Sequence, residues 1–467
     1  MSTSIDKDRI AITGMACRFA GSEDLRAYWR RILDGAPALS DAPDSEAFRF
    51  HASDSKTFNR VATLRGGYLR EFWQALPAST GFTAATLAGA NPEQALAVDL
   101  AAQAFRDAGY ADKSPPRERT AVILGYAPHM DPAAVNWVQQ GLVVDQTLDL
   151  VRRCFPHGST QDFETLRQNL QHCLPEYDSR NTLGLIRSTI IARIAQRFDL
   201  QGPGYVVDAA CASALAALQS AMDELRSGRA DVALAGGLAG VLTPQLMMPF
   251  SHLGYLSGHP VPHPFGREAD GTLLGEGGGF LVLKRLGDAR RDGDRIYALV
   301  RAVALATDGS GKDREDGLIH ALQRALAPDG VAPDSVAMIE AHGSGIPGQD
   351  RSEIRALAAV LGGSAHAGAS VALGSVKALI GHTAAAAGAA GVIKAALALY
   401  HRIIPPAQNA LHPHPQLKLG DTPFYLNLHP RPWVHNDAGQ PRRAGVNVIA
   451  VGGLSAHALL EQLQEEQ

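Results

Sequence analysis

Short β-branched runs alternate with Ala- and Leu-rich helical runs along most of this chain, and that alternation constrains its fold more than any other feature. Strands are predicted at Arg9–Met15, Thr120–Gly125, Tyr205–Asp208 and Val232–Ala235, then at Tyr297–Ala304, Ser335–Ala341, Val371–Ser375 and Ala444–Val451. Helices are predicted at Glu93–Ala108, Asn181–Phe198, Ala212–Ser227, Ile354–Leu361 and Thr383–Tyr400. Such a pattern folds as an α/β protein with buried mixed sheets. Aromatic residues are only 6% of the 467, while glycines number 47, so the core is expected to be aliphatic and closely packed.

A weak internal repeat runs through the alternation. Strand, small-residue turn and Ala-rich helix occur at Tyr205–Arg226 and again at Val371–Tyr400, with candidate chemistry on the turn each time. The expected organisation is therefore two similar halves, 1–260 and 261–467, with the less periodic segment 127–180 as a surface elaboration or dimer contact. A net charge of −4 gives no electrostatic case for nucleic acid. No predicted run has the length and composition of a membrane span, and Met1–Arg9 followed by a short apolar run is not a signal peptide. The four cysteines, Cys17, Cys154, Cys173 and Cys211, form no CxxC or CxxH pair. Cys154 and Cys173 could pair in an oxidising compartment; reduced thiols in the cytoplasm are the simpler expectation.

Cys211 stands where the apolar run Tyr205–Val207 turns into a helical pattern. Orphan N–H groups and the helix dipole at such a position favour a thiolate, and helix N-termini lower a cysteine pKa from about 8.5 to roughly 3.5–7.5. The alternative is a small buried cysteine filling a tight junction. Two histidines occupy similar turns: His342 follows an apolar strand, and His382 opens an Ala-rich helix with Lys377 five residues earlier. A thiolate, two N–H donors and a cation are what acyl transfer through a thioester requires. Two other motifs are set aside. His412 and His414, separated by Pro413 in an extended loop, are weak metal ligands. The Gly275–Gly279 cluster precedes a strand and lacks the frame of a nucleotide-binding turn, so a close backbone contact is expected there.

Across nearly its whole length the sequence resembles the β-ketoacyl-acyl carrier protein synthases of polyketide synthases, within the thiolase-like superfamily. The resemblance is carried by Ile10–Phe19, Ala192–Pro203, Asp208–Ala214, Pro264–Gly271 with Gly275–Gly277, His342–Ile346, Ala378–Ala384 and Gly452–His457, in the family's order. It implies duplicated αβ halves in a five-layer αβαβα sandwich. It also implies that Cys211 takes an acyl group from a carrier-protein phosphopantetheine, with no intrinsic cofactor or metal. His342 and His382 would hold the thioester oxygen of a malonyl-type extender during decarboxylation. The backbone N–H groups of Cys211 and Val451 would form the oxyanion hole. Lys377, paired with Glu353, would keep His342 neutral. Glu353, Ser344, Ile346, Phe250 and Asn447 are carried over as supporting residues. An acyl carrier protein and a second copy of the chain are the implied partners, and the enzyme is expected to be freestanding or excised from a larger synthase.

Departures from the family pattern cluster at this site. The histidine loop ends in Ile346 where the family has a second hydroxyl, and Gln349 precedes Asp350 in place of a glycine. The family's asparagine and glutamate around the second histidine become Leu379 and Ala384, and Val451 replaces a gating phenylalanine while Phe250 is kept. A lost hydroxyl costs about 0.5–1.5 kcal/mol, which weakens rather than abolishes binding of the phosphopantetheine arm. The rival readings are acyl transfer from Cys211 to an O, N or S acceptor without decarboxylation, and a non-condensing gate that docks a carrier protein.

Overall fold

The computed structural model of the chain describes residues 9–43, 60–70, 72, 91–111, 114–127, 130–177, 179–309, 314–362, 369–408, 410–434 and 440–464. Its frame is an eleven-stranded mixed sheet. In chain order the strands are β1 (Ile10–Phe19), β2 (Thr120–Tyr126), β3 (Gly204–Val207), β4 (Val232–Ala239), β5 (Gly277–Arg285), β6 (Ala298–Thr307), β7 (Val336–Glu340), β8 (Val371–Gly374), β9 (Phe424–Leu426), β10 (Arg443–Ile449) and β11 (Leu454–Glu461). They lie side by side as β9-β8-β7-β10-β11-β6-β1-β5-β4-β2-β3. β6 and β1 are linked by a short antiparallel ladder joining Ile10, Ile12 and the residue between them to Val300, Ala298 and Leu299. This narrow seam divides the sheet into two halves of matching topology.

From the outer edge inward, the first half reads β3-β2-β4-β5-β1 and the second β8-β7-β10-β11-β6, with β9 added outside. The pairing senses match as well. β2–β3, β2–β4, β7–β8 and β7–β10 are parallel, whereas β4–β5, β5–β1, β10–β11 and β11–β6 are antiparallel. The weak sequence repeat is thus a real duplication: β3 and β8 hold equivalent places. The expected junction near residue 260 differs from this pairing. β5 lies beyond it in sequence yet is hydrogen-bonded to β1 and β4, so the chain changes halves between Arg285 and Ala298.

Two helices fill the space between the half-sheets. α3 (Ser213–Arg226) follows β3, α7 (Ala387–His401) follows β8, and both touch strands of both halves. Outside, α1 (Pro92–Asp107) and α2 (Thr189–Phe198) cover the first half, while α5 (Arg314–Leu326) and α6 (Pro347–Leu361) cover the second. The stack is helices, sheet, helices, sheet, helices. Sandwiching explains the aliphatic composition: α7 is buried on all sides from Ala387 to Leu399. Each Leu, Ile or Val removed from water there contributes roughly 1.5–3 kcal/mol. The segment Ala384–His401 is also long and apolar enough to cross a membrane, but 83% of it is buried between the sheets. Lys394, inside that helix, is neutralised by Glu340 of β7.

One local expectation changes. The single helix expected over Asn181–Phe198 is two, Ser179–Gly184 and Thr189–Phe198. The Thr189 hydroxyl donates to the carbonyls of Leu183 and Ile186 and so competes with the backbone ladder. The segment 127–180 holds helices Pro132–Val138, Val144–Cys154 and Thr160–His172 joined in part by a π-turn at Gln139–Val143, with most side chains exposed. None of the four cysteines is in a disulfide, and Cys154 and Cys173 lie at the surface. The Gly275–Gly279 cluster makes the expected close approach: a Cβ at Gly277 would lie 2.2 Å from the Arg18 carbonyl oxygen. His412 and His414 serve the loop instead, accepting from Arg267 N–H through the His412 carbonyl and from Gln416 N–H through His414 Nδ1. Among the described residues no cluster with metal-ligating composition occurs.

Candidate active site

Parallel β–α units present their functional loops at the C-terminal ends of the strands. Here the ends of β3, β7 and β8 converge with the α4 helix (Pro244–His252) and the β10–β11 turn. Cys211 lies on the bend between β3 and α3 and is 7% exposed. The bend is tight and strained. Ala210 has φ 49°, a left-handed conformation that costs an L-residue roughly 1–2 kcal/mol. Two side chains hold it. Asp208 Oδ1 accepts the Ala210 N–H at 3.1 Å, and Ser213 Oγ accepts the Ala209 N–H at 2.8 Å while donating to the Ala210 carbonyl at 2.6 Å. Gly125 of β2 allows this corner to sit flat on the sheet, since a Cβ there would lie 2.3 Å from the Ser213 carbonyl carbon.

Both histidines are buried and face each other, with ring centroids 5.4 Å apart and planes at 75°. On each ring Nδ1 accepts a backbone N–H. The Ile449 N–H donates to His342 Nδ1 at 3.2 Å, and the Ala384 N–H donates to His382 Nδ1 at 3.0 Å. A neutral imidazole that accepts at Nδ1 carries its proton on Nε2, so both rings present an N–H donor. Burial first, and then the positive charge of Lys377, push His382 down to about 3. It is therefore neutral throughout the physiological range. Gly381, at φ 79°, makes the reversal that brings His382 back against the Leu273 carbonyl, to which its N–H donates at 2.7 Å.

Glu353 does not pair with Lys377 as expected. Its oxygens accept the N–H groups of His342 (2.7 Å) and Gly343 (2.8 Å) and the side-chain amide of Asn447 (2.9 Å). The carboxylate is used up in fixing the histidine loop, and among the described residues no ion pair reaches Lys377. Asn447 Oδ1 in turn contacts His457 Nδ1 at 2.6 Å, so the closing strands are tied to the same carboxylate. Lys377 is buried and its pKa is lowered by that burial, offset by the fields of Glu340, Glu353 and Cys211. Its positive charge helps to lower His382.

A second carboxylate completes the loop. Asp350 accepts from Phe265 N–H at 2.8 Å and Gly345 N–H at 3.2 Å, and burial raises it to about 7. Ser344 is 1% exposed, and its hydroxyl already lies between Asp350 (3.5 Å) and the Ile346 N–H (3.2 Å). Ile346 lines a narrow cleft of about 20 Å³ together with Cys211, both histidines, Phe250 and Val451. On the other side of Cys211 opens a larger cavity of about 210 Å³. Phe250 and Val451 border both spaces, and Val451 is half-exposed on its turn. Sequence reading missed Ser213, which carries the corner, and Glu93, Tyr126 and Asp131, which line the larger cavity. The small polar residue just past Cys211 was a usable signal for Ser213.

Comparisons with known proteins agree with this geometry. Residues 7–289 match the family model for the β-ketoacyl synthase N-terminal domain, and residues 297–411 match that for the C-terminal domain. The chain is 34% identical over 98% of its length to a phenolphthiocerol/phthiocerol polyketide synthase protein of Mycobacterium tuberculosis, spanning 28% of that protein. It is 33% identical over 97% of its length to a spectinabilin polyketide synthase system protein of Streptomyces orinoci, spanning 11% of it. Among solved structures, the ketosynthase from module 6 of the bacillaene synthase of Bacillus subtilis aligns with a TM-score of 0.80, at 27% identity over 98% of this chain and 72% of that one. A ketosynthase–chain length factor protein, PfaC, aligns with a TM-score of 0.83, at 29% identity over 98% of this chain and 48% of that one. The family models, the polyketide synthase relatives and the shared thiolase-like fold make this chain a member of the β-ketoacyl synthase family, of the polyketide ketosynthase type.

Proposed function

We propose that this chain condenses an acyl group held on Cys211 with a malonyl-type thioester delivered by an acyl carrier protein, releasing carbon dioxide. The observation that carries the reading is the pair of Nε2–H donors, fixed by backbone N–H groups on the opposite nitrogens, on two rings that line one cleft with Cys211. Cys211 Sγ attacks the acyl thioester, and the phosphopantetheine thiol leaves with the proton. The extender's thioester oxygen then lies between His342 and His382. As carbon dioxide departs, the electron pair of the broken bond becomes an enolate whose oxygen the two N–H groups stabilise. The enolate carbon attacks the acyl carbonyl, the bond to Sγ breaks, and a β-ketoacyl thioester remains on the carrier. The backbone N–H groups of Cys211 and Val451 serve the tetrahedral oxyanion. Neutral histidines suit this task because a cationic ring would surrender its proton to the enolate and quench the carbanion.

Phosphopantetheine enters as part of the substrate, and no resident cofactor is needed for these steps. The outer edge of β3 ends the sheet, with Tyr205 37% exposed, and this edge is our proposed surface for a second copy of the chain. The unpaired surface cysteines support a reducing, cytoplasmic setting. Transfer of the acyl group without decarboxylation is the competing outcome. Incubation with acyl- and malonyl-carrier substrates distinguishes them: condensation yields carbon dioxide and a product longer by the extender unit. Acyl turnover with neither would overturn the condensing assignment.

A further inference from the structure

The larger cavity beside Cys211 carries a feature that condensation does not use. Glu93, on the first turn of α1, is wholly buried and lines that cavity. One carboxyl oxygen, Oε1, accepts the Val241 N–H at 3.0 Å, while Oε2 has no hydrogen-bond partner among the described residues. Burial raises the carboxyl to about 7. Tyr126, the last residue of β2, is 3% exposed and lines the same wall; its hydroxyl makes no hydrogen bond among the described residues. Asp131 lies next to them, with its Oδ1 committed to the Ala134 N–H. The remaining wall, from Leu238, Leu242, Leu246 and Leu253, is apolar. A buried carboxyl oxygen left without a hydrogen bond marks a place where a ligand group is expected.

We propose that this cavity holds the acyl chain of the Cys211 thioester and that Glu93 and Tyr126 recognise a hydroxyl substituent on that chain. The inference rests on the reading of Cys211 as the acylated nucleophile. A hydroxyl fits because it can donate to Glu93 Oε2 and accept from Tyr126 at once. An ammonium group could only donate, which leaves the Tyr126 O–H with nothing to donate to.

The test uses the whole 467-residue chain and three series of acyl thioesters of a small thiol, matched in length. One series is unsubstituted, one carries a hydroxyl at successive carbons, and one carries an amine at the same carbons. The rate of mass gain on Cys211 is read by intact mass spectrometry. The expected result is that one hydroxyl position is acylated about tenfold faster than its unsubstituted match, the equivalent of one hydrogen bond. Tyr126→Phe and Glu93→Met should both erase that preference while the unsubstituted series still reacts. Equal rates across the series in the wild type overturn the inference and leave the nucleophile assignment standing. So does a hydroxyl preference that survives both substitutions. Faster acylation by the amine series overturns the choice of a hydroxyl. Absence of any adduct on Cys211 overturns the nucleophile assignment, and this inference with it.

Discussion

The β3–α3 and β8–α7 corners occupy the same place in two halves of one duplicated topology, yet they are built differently. The first is a direct turn. Ala210 takes the left-handed strain, Ser213 pins the bend from inside the helix, and Cys211 emerges at once. The second inserts the helical turn Lys377–Ile380, reverses at Gly381 and only then presents His382. The short corner gives Cys211 a braced position in the wall shared by the cleft and the larger cavity. The long corner gives a histidine burial, a committed nitrogen and a neighbouring cation, which together hold it neutral. Duplication supplied two equivalent corners facing one space; loop length decided which side chain each presents there.

Substitutions that break one corner should leave the other intact, and their effects should differ in kind. Cys211→Ala should abolish acyl-adduct formation and lower condensation by about 10⁴-fold or more, since no other group can carry the acyl chain. A residual condensation rate within tenfold of wild type would show that the first corner is not the nucleophile. His382→Ala, at the second corner, should leave acylation of Cys211 nearly unchanged and slow carbon dioxide release by about 10²–10³-fold, the usual cost of one oxyanion donor. Equal losses in acylation and decarboxylation would mean that the corners do not divide the chemistry.

Ser213→Ala removes two of the three side-chain hydrogen bonds that brace the first corner and should destabilise the protein by about 1–3 kcal/mol, with a matching drop in acylation rate. Chemical denaturation with and without the substitution checks this. An unchanged unfolding midpoint would place the brace elsewhere. The smallest effect concerns pH. His382 and His457 are held at about 3 against an ordinary 6.5, so the unfolded chain takes up protons in acid that the native chain refuses. Their stability contribution is complete above about pH 6.5 and is lost as pH falls toward about 3. Glu93 and Asp350, raised to about 7, act in the opposite sense: their contribution is present below about pH 4 and is lost as pH rises through about 7. His382→Asn should therefore lose less thermal stability than wild type between about pH 7 and pH 4. An identical decrease in both proteins would remove His382 from the balance.

The alternating pattern was enough to place most of the strands and helices, because each is long enough for its period to show. β5 was harder. Its opening glycines, Gly277–Gly279, carry no periodicity, and the strand belongs to the half-sheet before it only through pairing with β1 and β4. The break between Ser179–Gly184 and Thr189–Phe198 was hidden for a different reason, since it depends on where one threonine hydroxyl finds its acceptors. At the site, Cys211, His342, His382 and Lys377 were legible as residue types on turns. The partner of Glu353 was not: the family resemblance implied an ion pair with Lys377, whereas in the fold three closer N–H donors take both of its oxygens.

By itself, then, the amino-acid sequence determined the αβ architecture, the duplication and the chemical inventory of the site, because these follow from local period and from motifs that are continuous along the chain. Tertiary structure alone decided the tautomer each histidine presents, the strain carried by Ala210, the point where the chain crosses between halves and the oxygen of Glu93 left without a partner among the described residues beside Cys211. Each of these depends on which distant backbone group lies within hydrogen-bonding reach, a relation set by packing across the two half-sheets.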